Sequence, residues 1–246
     1  MIHVVRPDEG KLGTLRVLAG EAETRGQYFA FESETPPSDG TLDVHAHTAY
    51  DESEYVLTNT REIVIDDQRW EVGAGFFALA PRHARHGMRT VGSSPARWLH
   101  FFSPAGIERY FRARELLREQ GATAEELRAL SAQLAVSVPS SADVAEPAYA
   151  IEGLPRDGRV VATGRATRDA YALVERSTLP EAVHEHADQE EACYVLAGSV
   201  MLEAEGAATT LTPGDFALVP RGVAHRHIAA HGALVLVVYS PGHAIP

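Results

Sequence analysis

The stretch His184-Glu185-His186-Ala187-Asp188-Gln189-Glu190-Glu191 decides how the rest of the chain is read, and His225 answers it 34 residues after Glu191. Side chains two apart on a strand point to the same face, so His184 and His186 can converge on one point. A carboxylate follows five positions after His186, and a third imidazole arrives from a later strand. Three imidazole nitrogens and one carboxylate oxygen suit a divalent first-row metal ion (Fe, Mn, Ni, Co, Cu or Zn). The whole set occurs twice. His45, His47, Glu52 and His86 lie 139 positions before His184, His186, Glu191 and His225, and Tyr55/Tyr194, Gly75/Gly214 and Pro81/Pro220 keep that offset. Seven matched pairs at one offset mark an internal duplication.

A chain of 246 residues accommodates one large domain or two small ones, and the repeat selects two. Net charge is −12, and the arginines are interleaved with acids, as in Glu108-Arg109 and Arg114-Glu115, which argues against a nucleic-acid partner. The single cysteine, Cys193, rules out an intramolecular disulfide. The N-terminal residues lack the basic-then-apolar pattern of a signal peptide, and no run of about 18 apolar residues crosses a bilayer. A cytoplasmic protein with no membrane partner is the expectation.

The lead-in to each repeat is also duplicated. Thr24, Tyr28 and Glu32 match Thr167, Tyr171 and Glu175 at an offset of 143, so the first copy carries four extra residues near the turn-rich Thr35-Pro36-Pro37-Ser38-Asp39-Gly40. Within the repeats, short apolar runs such as Tyr55-Val56-Leu57, Ile63-Val64-Ile65 and Leu234–Tyr239 are bounded by turn residues, which means strands. Many such strands make a sandwich or barrel in each half. Between the halves, Ile107, Tyr110, Phe111 and Leu117 share one arc of a helix ending before Gly121, and Thr123 is the expected N-cap of a second helix through about Gln133. These helices and segment 138–148 are read as a structural connector without chemistry of its own. The expected division is therefore 1–103 for an N-terminal barrel, 104–154 for a helical connector and 155–246 for a C-terminal barrel.

His45-x-His47-x4-Glu52 with Gly75-x5-Pro81-x4-His86 resembles the paired motifs of the cupin superfamily, and His184-x-His186-x4-Glu191-x6-Gly198 with Gly214-x5-Pro220-x-Gly222-x2-His225 resembles them more closely. Two such units would make a bicupin, and the likeness covers nearly all of the chain outside the connector. It implies an all-β fold of two cupin (double-stranded β-helix, jelly-roll) barrels, with a place for one metal ion in each. Thr-x-x-x-Tyr in the lead-in and Ser103-Pro104-Ala105-Gly106-Ile107-Glu108-Arg109-Tyr110-Phe111 resemble the quercetin 2,3-dioxygenase-like cupins. That resemblance implies O2-dependent opening of an oxygenated aromatic ring. Three departures stand out: Asn59 where the second copy has Gly198, His83 where it has Gly222, and Thr90 and Ala229 where the family pattern places an asparagine. Asn tolerates a left-handed turn, whereas His83 is expected to strain or reshape the loop before His86.

The metal ligands read from the motifs are thus His45, His47, Glu52, His86, His184, His186, Glu191 and His225. Glu52 or Glu191 could also leave the metal and serve as the base. Strand alternation turns Glu54 inward with Glu52, opposite Cys193 in the second copy, and turns His227 inward with His225, opposite Met88. Glu54 and His227 are therefore candidate acid/base groups, against the plainer reading that Cys193 and Met88 simply fill the core and Glu54 reaches solvent past a bulge. His100 either lines the first pocket or packs in the core, core packing being the plainer reading; Arg82 and Arg221 either steer an anionic substrate or decorate a turn. Together with the metal set, the resemblance to the quercetin 2,3-dioxygenase-like cupins implies a metal-dependent dioxygenase acting on a small oxygenated aromatic or enol. Two alternatives remain open: a non-oxidative isomerase, cyclase or decarboxylase, and a non-catalytic small-molecule-binding cupin. A homodimer through barrel sheets is a possible assembly.

Overall fold

The computed structural model of the chain describes residues 1–136 and 147–245, so of the segment 138–148 only its last two residues are described. In chain order the elements are β1 (His3–Val5), β2 (Lys11–Leu12), β3 (Leu15–Ala19), α1 (Glu21–Thr24), β4 (Phe29–Thr35), β5 (Asp51–Thr58), β6 (Thr60–Ile65), β7 (Gln68–Val72), β8 (Phe77–Ala80), β9 (His86–Val91) and β10 (Ala96–Ser103). The connector holds α2 (Glu108–Glu119), α3 (Ala124–Leu134) and β11 (Tyr149–Ile151). Then follow β12 (Arg159–Ala162), β13 (Ala172–Arg176), β14 (Glu190–Ala197), β15 (Val200–Ala204), β16 (Ala207–Leu211), β17 (Phe216–Val219), β18 (His225–Ala229) and β19 (Leu234–Ser240).

Each half is an all-β barrel built from a wide sheet and a three-stranded sheet. The first has the order β11-β8-β5-β10-β4-β3-β2 with β7-β6-β9; the second has β1-β17-β14-β19-β13-β12 with β16-β15-β18. The central strands β5 and β14 are buried along six consecutive residues, so the acids Glu52, Glu54 and Glu191 near their starts are buried as well as the apolar residues that follow. An apolar cluster around Val195, Leu202 and Val237 fills the second barrel, while Phe29, Phe31, Phe102 and Phe111 form an aromatic cluster in the first.

The chain divides into one unit of Lys11–Glu21 and Tyr28–Leu154 and another of Met1–Gly10, Ala22–Gln27 and Pro155–Pro246. Residues 1–10 and 22–27 thus go with the second barrel, although the sequence reading put 1–103 in the first. The connector goes with the first barrel. The physical reason is the edge of each wide sheet. β8 and β17 are equivalent strands that leave a row of unpaired backbone groups, and each is covered by a strand from outside its repeat. β1 covers β17 in the register His3↔Leu218 to Val5↔Phe216, and β11 covers β8 in the register Tyr149↔Leu79 to Ile151↔Phe77. Arg6 pins the first of these with an ion pair to Asp215 at 2.7 Å.

The irregular positions keep the repeat geometry. Asn59 adopts φ +59° where Gly198 adopts +69°, and a Cβ at Gly198 would fall 2.6 Å from the Ala233 Cα. His83 adopts φ +72° against +70° at Gly222. The expected reshaping of its loop does not occur: the His83 amide donates to the His47 carbonyl at 2.8 Å, as Gly222 does to His186 at 2.8 Å. The helices end as their sequence dictates. Thr123 and Glu126 form a capping box at the start of α3, and Gly121, at φ +79°, lies two residues beyond α2.

Candidate metal centres

In both barrels the four motif residues meet. His45, His47, Glu52 and His86 offer donor atoms that all lie within 4.8 Å of one another, and so do His184, His186, Glu191 and His225. The convergence is built by strand pairing. His45 and His86 exchange backbone hydrogen bonds of 2.9 and 2.8 Å in an isolated bridge, and His184 and His225 repeat it with the same two lengths. The glutamates are the second residues of β5 and β14.

The ring tautomers follow from their partners. A carbonyl can only accept, so each imidazole nitrogen facing one must carry the proton. His45 Nδ1 donates to Asp43, His47 Nδ1 to Ala135 and His86 Nδ1 to Ala84, at 3.0, 2.7 and 2.9 Å. In the second barrel His184 and His225 do the same to Ala182 and Val223 at 3.0 and 2.8 Å. The Nε2 atoms are thereby turned to the centre of each quartet, the arrangement in which histidine ligates metals. Burial alone would raise the Glu52 carboxyl, but the charge of His86 and hydrogen bonds from His47 and His86 outweigh it and hold it well below the usual range. Glu191 is held well below in the same way, burial being outweighed by the surrounding imidazoles of His184, His186 and His225, whose Nε2 atoms lie 3.6, 2.7 and 3.5 Å from Glu191 Oε2. Both are carboxylates at neutral pH.

The donor sets fit a first-row ion. His184 Nε2, His225 Nε2 and Glu191 Oε1 are buried without a hydrogen-bond partner among the described residues, which is costly unless something else satisfies them. Donors about 2.1 Å from a common ion lie roughly 3–4.2 Å apart, the scale of these quartets.

Around the quartets the barrels diverge. Glu54 points inward, as strand alternation requires, yet it is fully buried behind the site. Arg61 grips it through two hydrogen bonds of 2.7 and 3.0 Å, and His100 Nε2 approaches it at 3.1 Å and Glu52 Oε1 at 3.6 Å. Burial would raise the Glu54 carboxyl, but Arg61 and His100 hold it below its ordinary value. Its oxygens are committed to these partners, and it lies behind the quartet and not on the cavity wall. Arg61 also stacks on Trp98 at 3.7 Å and donates to Thr90 at 3.0 Å. His100, for which core packing is the plainer reading of the sequence, is therefore a site residue. In the second barrel the same positions carry Cys193, Val200, Ala229, Val235 and Val237, and the strand register confirms the match: Glu54 faces His100 as Cys193 faces Val237. Burial pushes the Cys193 thiol up to about 12, which leaves it an inert core group. His227 fills a different niche there, with Nδ1 3.5 Å from Glu191 Oε1; burial, reinforced by His225, His184 and His186, pushes it down to about 4 against the pull of Glu191. Each site thus has a fourth imidazole beside the outer oxygen of its glutamate, supplied by β10 in one barrel and β18 in the other.

A cavity of about 330 Å³ opens on the first quartet, where His45, His47 and Glu52 share its wall with Phe31, Phe102 and Phe111. Tyr110, Arg114 and Arg118 of α2 and Ala135 beyond α3 form part of its lining. The connector read as purely structural thus contributes a wall of the pocket, and the Ala135 carbonyl orients the His47 ring. Arg82 and Arg221 are engaged elsewhere: each pairs with the acid preceding the ligand glutamate, Asp51 at 3.2 Å and Glu190 at 2.7 Å. Sequence comparison between the copies could have exposed Arg61 and Thr90, which face Val200 and Ala229 at the offset of 139. Nothing in the sequence marked the α2 wall.

A family profile described as Cupin domain matches residues 31–102 and 174–239, more than half of the chain. The chain belongs to the cupin family, duplicated as a bicupin. Among solved structures it is similar to protein Ylba from E. coli (8% identity, 100% of this chain and 93% of that one, TM-score 0.64). It is also similar to oxalate decarboxylase from Bacillus subtilis, in one variant at 17% identity with 94% and 74% coverage and TM-score 0.57. A further structure of that enzyme, described for its Mn(II) centres, matches at 18% identity with the same coverages and TM-score 0.55. No curated protein matches the sequence. Among the described residues no helix is long and apolar enough to cross a membrane.

Proposed function

We propose that the protein is a metal-dependent bicupin enzyme whose reaction runs in the first barrel, on a small oxygenated aromatic or enol substrate with O2 as co-substrate. The observation that carries this reading is the aromatic-walled cavity of about 330 Å³ that opens on His45, His47 and Glu52. The paired core positions support the choice of barrel. A buried Arg–Glu pair is seldom worth more to stability than apolar residues of similar volume, and the second barrel packs such residues at the equivalent positions. The Arg61–Glu54–His100 network is then best understood as serving the site.

A first-row divalent ion held by the quartet would supply Lewis acidity and an open position for an enolic or phenolic oxygen. The chain's own groups do the rest. Glu52, a carboxylate at neutral pH, takes the substrate hydroxyl proton on Oε1, the oxygen nearer His100. His100, backed by Glu54 and Arg61, fixes the orientation of that carboxylate. Phe31, Phe102 and Phe111 exclude water and bracket a planar ring. In the second barrel Glu191 and His227 are the corresponding pair.

A second reading, non-oxidative decarboxylation, is favoured by the fold likeness to oxalate decarboxylase. Oxygen uptake and CO2 release by metal-loaded protein, with a flavonol or simpler enol in one arm and oxalate in the other, separate the two. Oxygen consumption with the enol supports the dioxygenase. Anaerobic CO2 release from oxalate without oxygen uptake on the enol replaces it by the decarboxylase.

A further inference from the structure

We propose that the substrate of the first site is an acid: an aromatic or enolic carboxylate whose anionic end is held by Arg114 and Arg118. This deepens the function proposed above and rests on it for the placement of the reacting end. Ile107, which precedes helix α2, and Tyr110, Phe111, Arg114 and Arg118 of the helix line the cavity, apolar at the start and cationic at the end. A continuous path of ring contacts joins the cations to the quartet. His47 lies 5.6 Å from Phe102, Phe102 lies 5.9 Å from Phe111, and the Arg114 guanidinium lies 5.1 Å from the Phe111 ring. A planar molecule lying along that path would set its oxygens at the ligands and its far end at the guanidinium groups.

The charge balance at that far end calls for an anion. Arg114 Nε and Arg118 Nη1 donate to the same Glu115 oxygen, each at 3.0 Å. Two guanidinium groups thus share one carboxylate and keep one net positive charge, with N–H donors to spare. Arg114 is only 17% exposed, so a cation has been drawn into a largely aromatic wall. A neutral ring would need no such group there, whereas a carboxylate is the bidentate partner that guanidinium geometry fits. The other acidic residues on the wall are Glu52, turned to the imidazoles, and Asp43.

The test is calorimetric titration of the full chain, loaded with Mn(II) and kept anaerobic, with 3,4-dihydroxybenzoate and with its methyl ester. The acid is expected to bind about tenfold more tightly than the ester, with the difference shrinking as salt rises. Arg114→Gln combined with Arg118→Gln should bring the acid to the ester's affinity while the ester is unchanged, and the Lys pair should keep most of the preference. Glu115→Gln, which removes the competing carboxylate, should tighten the acid about threefold and leave the ester alone. Equal binding of acid and ester overturns the proposal, as does an acid preference that survives both Gln substitutions. If the Gln pair does not fold, the Glu115→Gln shift decides: no change in the acid's affinity overturns it. An acid preference without oxygen uptake leaves the anion site standing and removes the oxygenase reading; oxygen uptake that treats acid and ester alike removes the anion site only.

Discussion

At the residue scale, the same strand pairing carries opposite chemistry in the two barrels. Glu54 faces His100 in one and Cys193 faces Val237 in the other, so a single substitution should have effects confined to the first site. His100→Leu is expected to lower kcat/KM by about 100-fold, the scale of one positioned polar group, while both quartets retain their metal by elemental analysis. His100→Gln, which keeps a donor near Glu54, should recover part of that loss. An unchanged kcat/KM in His100→Leu would reduce the network to packing. His83 makes a separate prediction. Its φ of +72° matches that of Gly222, so His83→Gly should raise stability by about 0.5–1 kcal/mol in a denaturant titration.

At the element scale, the lead-in strands carry a second duplicated device. Arg16 pairs with Glu32 between β3 and β4, and Arg159 pairs with Glu175 between β12 and β13, at the offset of 143. Burial would raise the Glu32 carboxyl, but hydrogen bonds and charges from Arg16 and Arg97 outweigh it and hold the group below 4.5. A lowered folded value means that the stabilisation is complete above the unfolded value and is lost as pH falls through the folded one. Melting temperature should therefore drop on acidification below about pH 4.5, and Glu32→Gln should flatten part of that decline while costing about 1–3 kcal/mol at neutral pH. The arginines keep the same offset as the glutamates, but that each pairs with its glutamate follows only from the strand register, Arg16↔Glu32 and Arg159↔Glu175. Helix α3 behaves in the opposite way. Its capping box was readable from Thr123, and Thr123→Ala should cost about 1 kcal/mol of helix stability. Loosening α3 should also weaken metal retention in the first barrel, measured by chelator competition, because the Ala135 carbonyl beyond its end orients His47.

At the scale of the whole molecule, each barrel depends on a strand from outside its own repeat. Deleting residues 1–10 removes β1 and the Arg6–Asp215 ion pair, leaving the β17 edge unpaired. The expected outcome is faster amide exchange along β17 and lower stability of the second barrel, with β8 in the first barrel unaffected because β11 still covers it. The twin quartets make the complementary prediction. His47→Ala and His186→Ala should each lose about one metal equivalent, but only His47→Ala should abolish turnover, because the aromatic cavity opens on the first quartet. Equal loss of turnover from both would show that the second site shares the reaction.

The sequence by itself determined the duplication, the all-β architecture, the two quartets that meet as candidate metal centres and the two connector helices. Those features are written in spacing: a period of two on strands, a period of 3.6 on helices, and a constant offset between copies. Tertiary structure alone decided which barrel claims residues 1–10, which groups stand behind each glutamate, and that α2 walls the first pocket with Arg114 and Arg118. These depend on contacts between segments far apart in the chain, such as Val4 with Ala217 or His47 with Ala135, where strand pairing and packing choose the partner and no local pattern announces it.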